Sequence, residues 1–458
     1  MQHYSIIDFL LMPVYTLIIL MVANLYAKKK KEAEPYYKYF LPGLVAKMVG
    51  GVGLALVYTL YYPGGDTIEY FNNVLALQNL AVYDFSSFLH VMTADANISL
   101  HYYFNSETGY AVYARDPKAW AVVKIALFLV TPAFKSYLTT TILCATVSFS
   151  GMWRLYKVFA KEFPHLYKEM AVSFLFIPSV FFWGSGLLKD TFTLGAVGFF
   201  FSAVYAIFVR KEKLFANIII VVLSSYVISS IKPYILVGLL PAVILWLVQL
   251  FLGKIQIKTV RALSMPFLLI CGISFGYLLM VVMGDALAEY QVESILEKAK
   301  VTQRDLKSDY YQGNSFDIGE FNSTMPSMLS KFPIATFSAI FRPLIIESNN
   351  LVMFISGFEN LLLLIFAIRV LILLRIYRLF GYFFKHHMLT FSLFFSLFFA
   401  YSVGLSTSNF GSLVRYKIPC IPFFVASMYL MRHIRLTDIE EENRNRRQVV
   451  DQTTFSGY

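Results

Sequence analysis

The chain has 458 residues, 58% of them hydrophobic and only 15% charged, and its mean hydropathy is +0.61. This composition excludes a water-soluble protein, and the succession of apolar runs excludes a soluble enzyme held by a single anchor. The net charge of +11 does not indicate a nucleic-acid binder, because the basic residues fall between apolar runs instead of gathering on one exposed segment. We therefore expect an all-α polytopic integral membrane protein.

Taken in chain order, the apolar runs predict eleven transmembrane helices, since a helix that crosses the hydrocarbon core needs about 20 mostly apolar residues. The predicted spans lie near residues 5–27, 39–62, 136–158, 170–188, 191–209, 214–231, 233–252, 262–284, 349–373, 387–407 and 418–431. Residues 119–134 are also apolar, but the run is shorter and contains Lys124. We interpret it as a re-entrant or interfacial helix instead of a twelfth span.

The basic residues set the orientation. With eleven spans, the short loops rich in Lys and Arg all fall on one side, which the positive-inside rule makes cytoplasmic, whereas a twelfth span would place most of them outside. The amino terminus is then outside and the carboxyl terminus cytoplasmic. We predict one membrane domain over residues 1–436, with long periplasmic segments at 63–135 and 285–348, and a disordered cytoplasmic tail over 437–458.

The second periplasmic segment divides into three parts. Residues 285–300 have an amphipathic helical pattern, residues 308–324 are polar and favour a loop, and residues 325–340 favour an interfacial helix that Lys331 interrupts.

Polar residues at the predicted outer boundary are the candidates for function. They are Asp66 and Glu69, Lys189 and Asp190, Lys232, Arg342 and Glu347, and Arg415 and Lys417. Basic residues in short outer loops oppose the orientation rule, so we expect a requirement other than insertion to keep them there. An anionic ligand is the simplest such requirement.

Two carboxylates follow a pair of glycines after the second predicted span. Asp66 and Glu69 are three residues apart and would share a helix face, where they could act as a general base or bind a metal. The same spacing also fits a capping box at a helix start, with no role in chemistry.

The basic residues likewise each have a functional and a structural interpretation. Arg342 and Arg415 each stand beside backbone interrupted by proline or glycine, and the guanidinium fork suits a diphosphate. The alternative for these arginines is structural pairing, with Glu347 or with carbonyls at the helix breaks. Lys189 and Lys232 either contact the same ligand or are interfacial anchors.

Two charges lie deep in predicted spans. Lys47 and Glu359 each fall about ten residues from a helix end, a depth at which an unpaired charge is costly. A structural ion pair between them is one interpretation, and a proton-coupled role is the other. The histidines and cysteines have no metal-ligand spacing, so we predict no metal site.

Four short motifs resemble bacterial polysaccharide-biosynthesis membrane proteins of the EpsG and Wzy-polymerase type. They read G-G-D-T-x-x-Y from Gly64, G-L-L-K-D from Gly186, R-P-x-x-x-E-x-N-N from Arg342, and N-F-G-x-L-V-R-Y-K-I-P from Asn409. The resemblance implies a bacterial inner-membrane polymerase that joins glycan units carried on undecaprenyl diphosphate at the periplasmic face.

This resemblance also implies roles for the residues. Asp66, Arg342 and Arg415 would be catalytic, with Glu347 a second choice for the base. The substrate-binding residues would be Glu69, Lys189, Asp190, Lys232, Glu347, Asn409, Tyr416 and Lys417. The implied partners are a polyprenyl-diphosphate-linked glycan, the bilayer and other polysaccharide-assembly membrane proteins, with no cofactor and no nucleic acid.

Other functions stay open at this point. O-antigen ligases and GT-C glycosyltransferases have a similar general pattern; a GT-C enzyme would use a polyprenyl-phosphate sugar, with Asp66 indispensable and a divalent metal as an aid. A lipid-linked glycan flippase is the non-enzymatic alternative. Transporters need charges through the membrane depth and commonly have repeat symmetry. Because the charges here crowd one face, we favour an enzyme.

Overall fold

The structure is a computed structural model that describes residues 6–62, 64–252, 315–319, 321, 325–374, 379–383 and 385–455. The predicted span at 262–284 and the predicted amphipathic helix at 285–300 lie outside the described residues. The described chain is helical, and the protein is an all-helical multi-pass membrane protein.

The chain, predicted to form one membrane domain followed by a tail, divides into two compact units. The first comprises Met1–Val237 and Val414–Pro422, and the second comprises Gly238–Leu413 and Phe423–Tyr458. The α-helices up to the first gap are α1 (Ile6–Lys31), α2 (Phe40–Leu56), α3 (Asp66–Tyr83), α4 (Phe85–Thr93), α5 (Pro117–Val130), α6 (Tyr137–Glu162), α7 (Tyr167–Leu175), α8 (Pro178–Trp183), α9 (Lys189–Tyr205), α10 (Leu214–Ile231) and α11 (Pro233–Leu252). Those after it are α12 (Met325–Ser330), α13 (Phe332–Phe341), α14 (Leu351–Leu374), α15 (Leu379–Phe383), α16 (His387–Ser406), α17 (Phe410–Tyr416) and α18 (Ile421–Phe455).

Among the described residues, seven helical stretches are long and apolar enough to cross a bilayer, or eight if the bent pair α17 and α18 counts as one span. Helix α1 leaves most of its apolar side chains exposed, as expected for a helix that faces lipid. The predicted span at 170–188 consists of two short helices, α7 and α8. The break falls at Ile177, directly before Pro178, because proline disfavours helical backbone in the preceding residue.

The core of the first unit is built on α6 and α9. Helix α9 has hardly an exposed residue, and α6 packs against it as well as against α1, α2 and α7. The two backbones touch where glycines meet: a Cβ on Gly151 would lie 2.1 Å from the carbonyl oxygen of Gly195. Small residues permit such close packing between membrane helices, where dispersion contacts replace the hydrophobic driving force.

A buried carboxylate fixes the start of α6. Asp8 of α1 accepts hydrogen bonds from the Ser136 hydroxyl at 2.7 Å and the Leu138 amide at 2.9 Å. The first amides of a helix have no partner inside the helix and carry partial positive charge, so they compensate this carboxylate. An acidic residue can therefore lie in the first apolar helix.

In the second unit, α13 packs against α14 and α16. The interruption predicted at Lys331 is present, between α12 and α13. Helix α18 continues to Phe455, through the segment predicted to be a disordered tail. That segment is rich in Glu, Arg and Gln, which are good helix formers, and Arg435 pairs with Glu442 at 3.4 Å.

Candidate functional site

Helices α9 and α10 form an antiparallel hairpin that brings two predicted site residues together. Asp190 lies in the first turn of α9 and Lys232 directly follows the last turn of α10. Because the two helices pack antiparallel, the start of α9 lies beside the end of α10. The Lys232 Nζ therefore lies 2.5 Å from the Asp190 Oδ1. The structure thus pairs two residues that the sequence analysis assigned to the same side without pairing them.

Arg415 joins this pair to Asp66. Its Nη2 atom lies 3.2 Å from the Asp190 Oδ2 and 3.0 Å from the Asp66 Oδ2. We refer to Asp66, Asp190, Lys232 and Arg415 as the Arg415 cluster; all four belong to the first unit. The interaction with Asp66 connects residues 349 positions apart in the sequence.

The exposed fraction of the side chains differs between the two sides of the cluster. The side chains of Asp190 and Lys232 are 1% and 7% exposed, whereas those of Arg415 and Asp66 are 21% and 43% exposed. Both oxygens of Asp190 are engaged, so Asp190 anchors two cations and is not placed to touch a ligand. The Arg415 Nε is buried and has no hydrogen-bond partner in the described chain. Because their side chains are the more exposed ones, Arg415 and Asp66 form the accessible side of the cluster.

Backbone geometry aims Asp66 at Arg415. Gly65 precedes α3 with φ of 118°, a conformation that L side chains rarely adopt, and a Cβ there would lie 2.8 Å from the Tyr58 ring. Asp66 is the first helical residue, not the N-cap, so the predicted capping box with Glu69 does not form. The Asp66 carboxylate is consequently available for an ion pair. The Glu69 side chain is exposed and has no hydrogen bond or ion pair in the described chain.

Aromatic rings surround the cluster. The Arg415 Cζ lies 5.7 Å from the centre of the Trp183 ring, and the Lys232 Nζ lies 4.9 Å from the centre of the Tyr416 ring. Cations over ring faces at such distances gain electrostatic stabilisation. Tyr416, predicted to bind substrate, thus contacts a cation of the cluster.

Two further tyrosines lie on the Asp66 side. Tyr70 and Tyr113 have ring centres 4.7 Å apart. Burial, reinforced by the negative charges of Asp66 and other carboxylates, raises the pKa of Tyr113 well above its usual value, and burial likewise raises the pKa of Tyr70. Both phenols stay protonated at neutral pH and can donate hydrogen bonds.

Lys189 has a partner that the sequence analysis missed. Its Nζ lies 3.3 Å from the Asp116 Oδ2, while the other oxygen of Asp116 caps α5 by accepting from the Lys118 amide. The sequence signal was the Asp-Pro dipeptide, since aspartate before proline is typical of a helix N-terminus. Both side chains of this ion pair are partly exposed beside the buried Asp190.

Lys47 has an internal function in the first unit. Its fully buried ammonium donates to the Gly184 carbonyl at 2.7 Å, the Val180 carbonyl at 3.4 Å and the Ser148 hydroxyl at 3.1 Å. Both carbonyls belong to the end of α8; Val180 also accepts from the Gly184 amide at 3.2 Å, whereas the Gly184 carbonyl lies beyond the last turn of the helix. Lys47 thereby holds the turn that precedes Lys189 and Asp190. Its predicted pairing with Glu359 is not among these bonds and stays a prediction.

Arg342 lies in the second unit and pairs with a carboxylate of its own segment. It follows the end of α13, its Nε donates to the Glu347 Oε2 at 3.1 Å, and its Nη2 bonds the other carboxylate oxygen. The guanidinium lies over the rings of Phe316 and Phe410, at 4.9 and 5.3 Å from their centres. This is the structural pairing considered as the alternative for Arg342.

Two other predicted residues serve the backbone or the interior. Asn409 caps α17, because its Oδ1 accepts from the Ser412 amide at 3.1 Å. The Lys417 side chain is fully buried, so it is not exposed to a ligand as Arg415 is.

Comparison with protein-family models, curated proteins and solved structures gave no match. The resemblance to polysaccharide polymerases therefore stays a prediction that rests on the short motifs quoted above.

Proposed function

We propose that the protein is a membrane glycosyltransferase of the bacterial inner membrane that extends a surface polysaccharide from undecaprenyl-diphosphate-linked glycans at the periplasmic face. The Arg415 cluster is the observation that carries this proposal. It combines a partly exposed guanidinium, a partly exposed carboxylate and aromatic rings at the ends of apolar helices.

The arrangement supplies the groups that such a reaction needs. The acceptor hydroxyl attacks the anomeric carbon of the donor sugar, the new glycosidic bond forms, and the bond to the lipid diphosphate breaks. Arg415 and Lys189 stabilise the negative charge that develops on the leaving diphosphate. Asp66 receives the proton of the acceptor hydroxyl. Tyr113 offers a partly exposed ring and a phenol donor for the sugar, and the buried ring of Tyr70 packs against it.

Buried Asp190 has a positioning role in this proposal. It fixes Lys232 and one side of the Arg415 fork, so the arginine does not need to be ordered when substrate arrives. Glu347 binds both the Nε and the Nη2 atoms of Arg342, whereas Asp66 and Asp190 both bind the single Nη2 atom of Arg415. We therefore assign the diphosphate to the Arg415 cluster and regard Arg342 as a structural residue.

The test is a product assay with purified protein in nanodiscs and the cognate lipid-diphosphate oligosaccharide. Wild type is expected to produce a ladder of longer glycans. Arg415→Lys keeps the charge but loses the fork and is expected to lose most of the rate, while Asp66→Asn should abolish chain extension without loss of substrate binding. Arg115→Ala, which removes an exposed arginine outside the cluster, is the matched control and should be active.

Two results would contradict the proposal. One is full activity of the Arg415→Lys and Asp66→Asn variants when insertion and folding equal those of wild type. The other is transfer of unextended lipid-linked glycan across the bilayer with no lengthened product, which would identify a flippase.

A GT-C transferase is the second candidate, and the position of Glu69 favours it. Asp66 and Glu69 lie in the first turn of α3, and the Glu69 side chain is exposed with no hydrogen bond or ion pair in the described chain. Together with the partly exposed carboxylate of Asp66, it suits a divalent cation. This candidate predicts turnover of a polyprenyl-phosphate monosaccharide that chelator removes, manganese restores, and Glu69→Gln reduces; the polymerase should be indifferent to chelator.

A further inference from the structure

A second polar cavity lies at the opposite end of α9 from the Arg415 cluster. The helical stretch from Lys189 to Arg210, which includes a π-turn at Ala206–Arg210, has 22 residues. At 1.5 Å per residue it extends over about 30 Å, roughly the thickness of a bilayer core. The charge pattern predicts this second end to be cytoplasmic.

The cavity has a volume of about 320 Å³ between the ends of α6, α9 and α10, and all its lining residues belong to the first unit. Five lining side chains are basic and one is acidic. The polar lining residues are Arg154, Lys157, Lys161, Ser202, Tyr205, Arg210, Glu212, Lys213 and Asn217.

Part of this positive charge is compensated inside the protein. Lys161 pairs with Glu34 at 2.7 Å, and Arg210 lies 3.9 Å from Glu212. The hydroxyl of Tyr205 donates to Glu162 at 2.5 Å. These interactions account for the acidic groups next to the cavity and leave three cations to consider.

Arg154, Lys157 and Lys213 are not paired with a carboxylate of the described residues. Arg154 donates to the neutral amide oxygen of Asn217 at 3.3 Å, and its Cζ lies 5.6 Å from the centre of the Phe199 ring. The side chains of Lys157 and Lys213 form no hydrogen bond or ion pair with the described part of the chain. Lys157 is half-buried near the positive charges of Lys161, Arg154 and Arg210, which the nearby Glu34 carboxylate opposes, so a bound anion would relieve the repulsion between the cations.

The arginine is held in place by a network of its own. The Asn217 amide donates to the carbonyls of Glu212 and Lys213 at 2.7 and 3.2 Å, which orients its oxygen toward Arg154. The Phe199 ring covers the other part of the guanidinium. Because Arg154 is ordered in advance, a ligand that it binds loses little affinity to ordering the side chain.

We propose that this basic cavity binds a phosphate-bearing anion from the cytoplasmic side of the membrane. The guanidinium fork of Arg154 matches two phosphate oxygens, Lys157 and Lys213 supply point charges, and Ser202 supplies a neutral donor. Two sources carry the same chemistry: the headgroup of an anionic phospholipid and a soluble phosphate or diphosphate.

The test uses the full chain in nanodiscs with two probes. Retention of phosphatidylglycerol is measured by native mass spectrometry, and binding of inorganic pyrophosphate is measured calorimetrically in phosphatidylcholine discs. The test variant is Arg154→Gln with Lys157→Gln. The matched control is Lys28→Gln with Lys29→Gln, which removes the same charge from exposed positions at the end of α1, on the same predicted side.

Wild type and the control should bind one probe saturably, and the test variant should bind it at least about tenfold more weakly, since one charge-assisted hydrogen bond contributes about that factor. Retained lipid identifies a headgroup site, and bound pyrophosphate identifies a soluble ligand; either supports the proposal. The single variant Lys157→Arg keeps the charge and should bind the probe as wild type does. Absence of both probes from wild type, or equal losses in the test and control variants, would overturn the proposal.

Discussion

Replacement of Asp190 by alanine should be the most damaging single change in the Arg415 cluster. The Asp190 carboxylate is 1% exposed and compensates Lys232 at 2.5 Å and Arg415 at 3.2 Å. Removing one partner of a buried ion pair costs about 3–5 kcal/mol, because the remaining charge is left uncompensated. Arg415 keeps its interaction with Asp66, so we attribute most of this cost to the stranded ammonium of Lys232.

This reasoning fixes the order of three variants. Lys232→Met alone leaves Asp190 paired with Arg415 and should cost less, about 1–3 kcal/mol. The double variant Asp190→Ala with Lys232→Met removes the stranded charge, so it should be more stable than the sum of the single changes predicts, by about 1–3 kcal/mol. Glu32→Ala, which removes an exposed carboxylate, is the control and should be silent.

The assay is unfolding in mixed micelles by titration with sodium dodecyl sulfate, followed by tryptophan fluorescence. Trp183 contacts Arg415 and therefore reports on the cluster itself. A cost below about 1 kcal/mol for Asp190→Ala, or strict additivity in the double variant, would refute the view that Asp190 is a buried counter-ion.

Three further changes test individual contacts in the first unit. Gly65→Ala should cost about 1–3 kcal/mol and reduce activity, because φ is 118° and the new Cβ would meet a tyrosine ring, whereas Gly53→Ala has room and should be neutral in the same unfolding titration. Lys47→Met should lower stability by about 1–3 kcal/mol, because it removes the ammonium that donates to the Gly184 carbonyl and the Ser148 hydroxyl; an unchanged unfolding midpoint would argue against this function. Burial opposes ionisation of Glu34, but the bond and charge of Lys161 prevail and lower its pKa below 4.5, so its contribution is present above pH 4.5 and is lost as pH falls through the folded-state pKa. Wild type should then lose its stability advantage over Glu34→Gln on acidification, and a constant difference from pH 7 to pH 3 would contradict this.

The sequence was sufficient to predict that the protein consists of membrane helices, because the cause of such helices is local. Apolar runs of about 20 residues specify membrane helices wherever they occur. The run at 170–188 was long enough to predict one span, but it forms two helices, α7 and α8, and the break directly precedes Pro178. The charge rule also grouped Asp66, Lys189, Lys232 and Arg415 on one side before any contact was known.

Partners, in contrast, were decided by packing. Asp66 and Arg415 are 349 positions apart, and no sequence period connects them. The sequence left Arg342 and Arg415 equivalent, each with a structural and a functional interpretation. The structure distinguishes them by the atoms engaged: Glu347 binds the Nε and Nη2 atoms of Arg342, whereas Asp66 and Asp190 both bind the Nη2 atom of Arg415.

The depth of a charge in the membrane was readable from the sequence, but its compensation was not. Asp8 and Lys47 both lie in apolar helices, and both are compensated by helix ends of other segments: amides at the start of α6 and carbonyls at the end of α8. A helix end offers these groups only when packing places it beside the charge. The sequence by itself thus determined an all-helical membrane protein, since hydrophobicity acts locally. The tertiary structure alone decided which charges meet, since ion pairs depend on how distant segments pack.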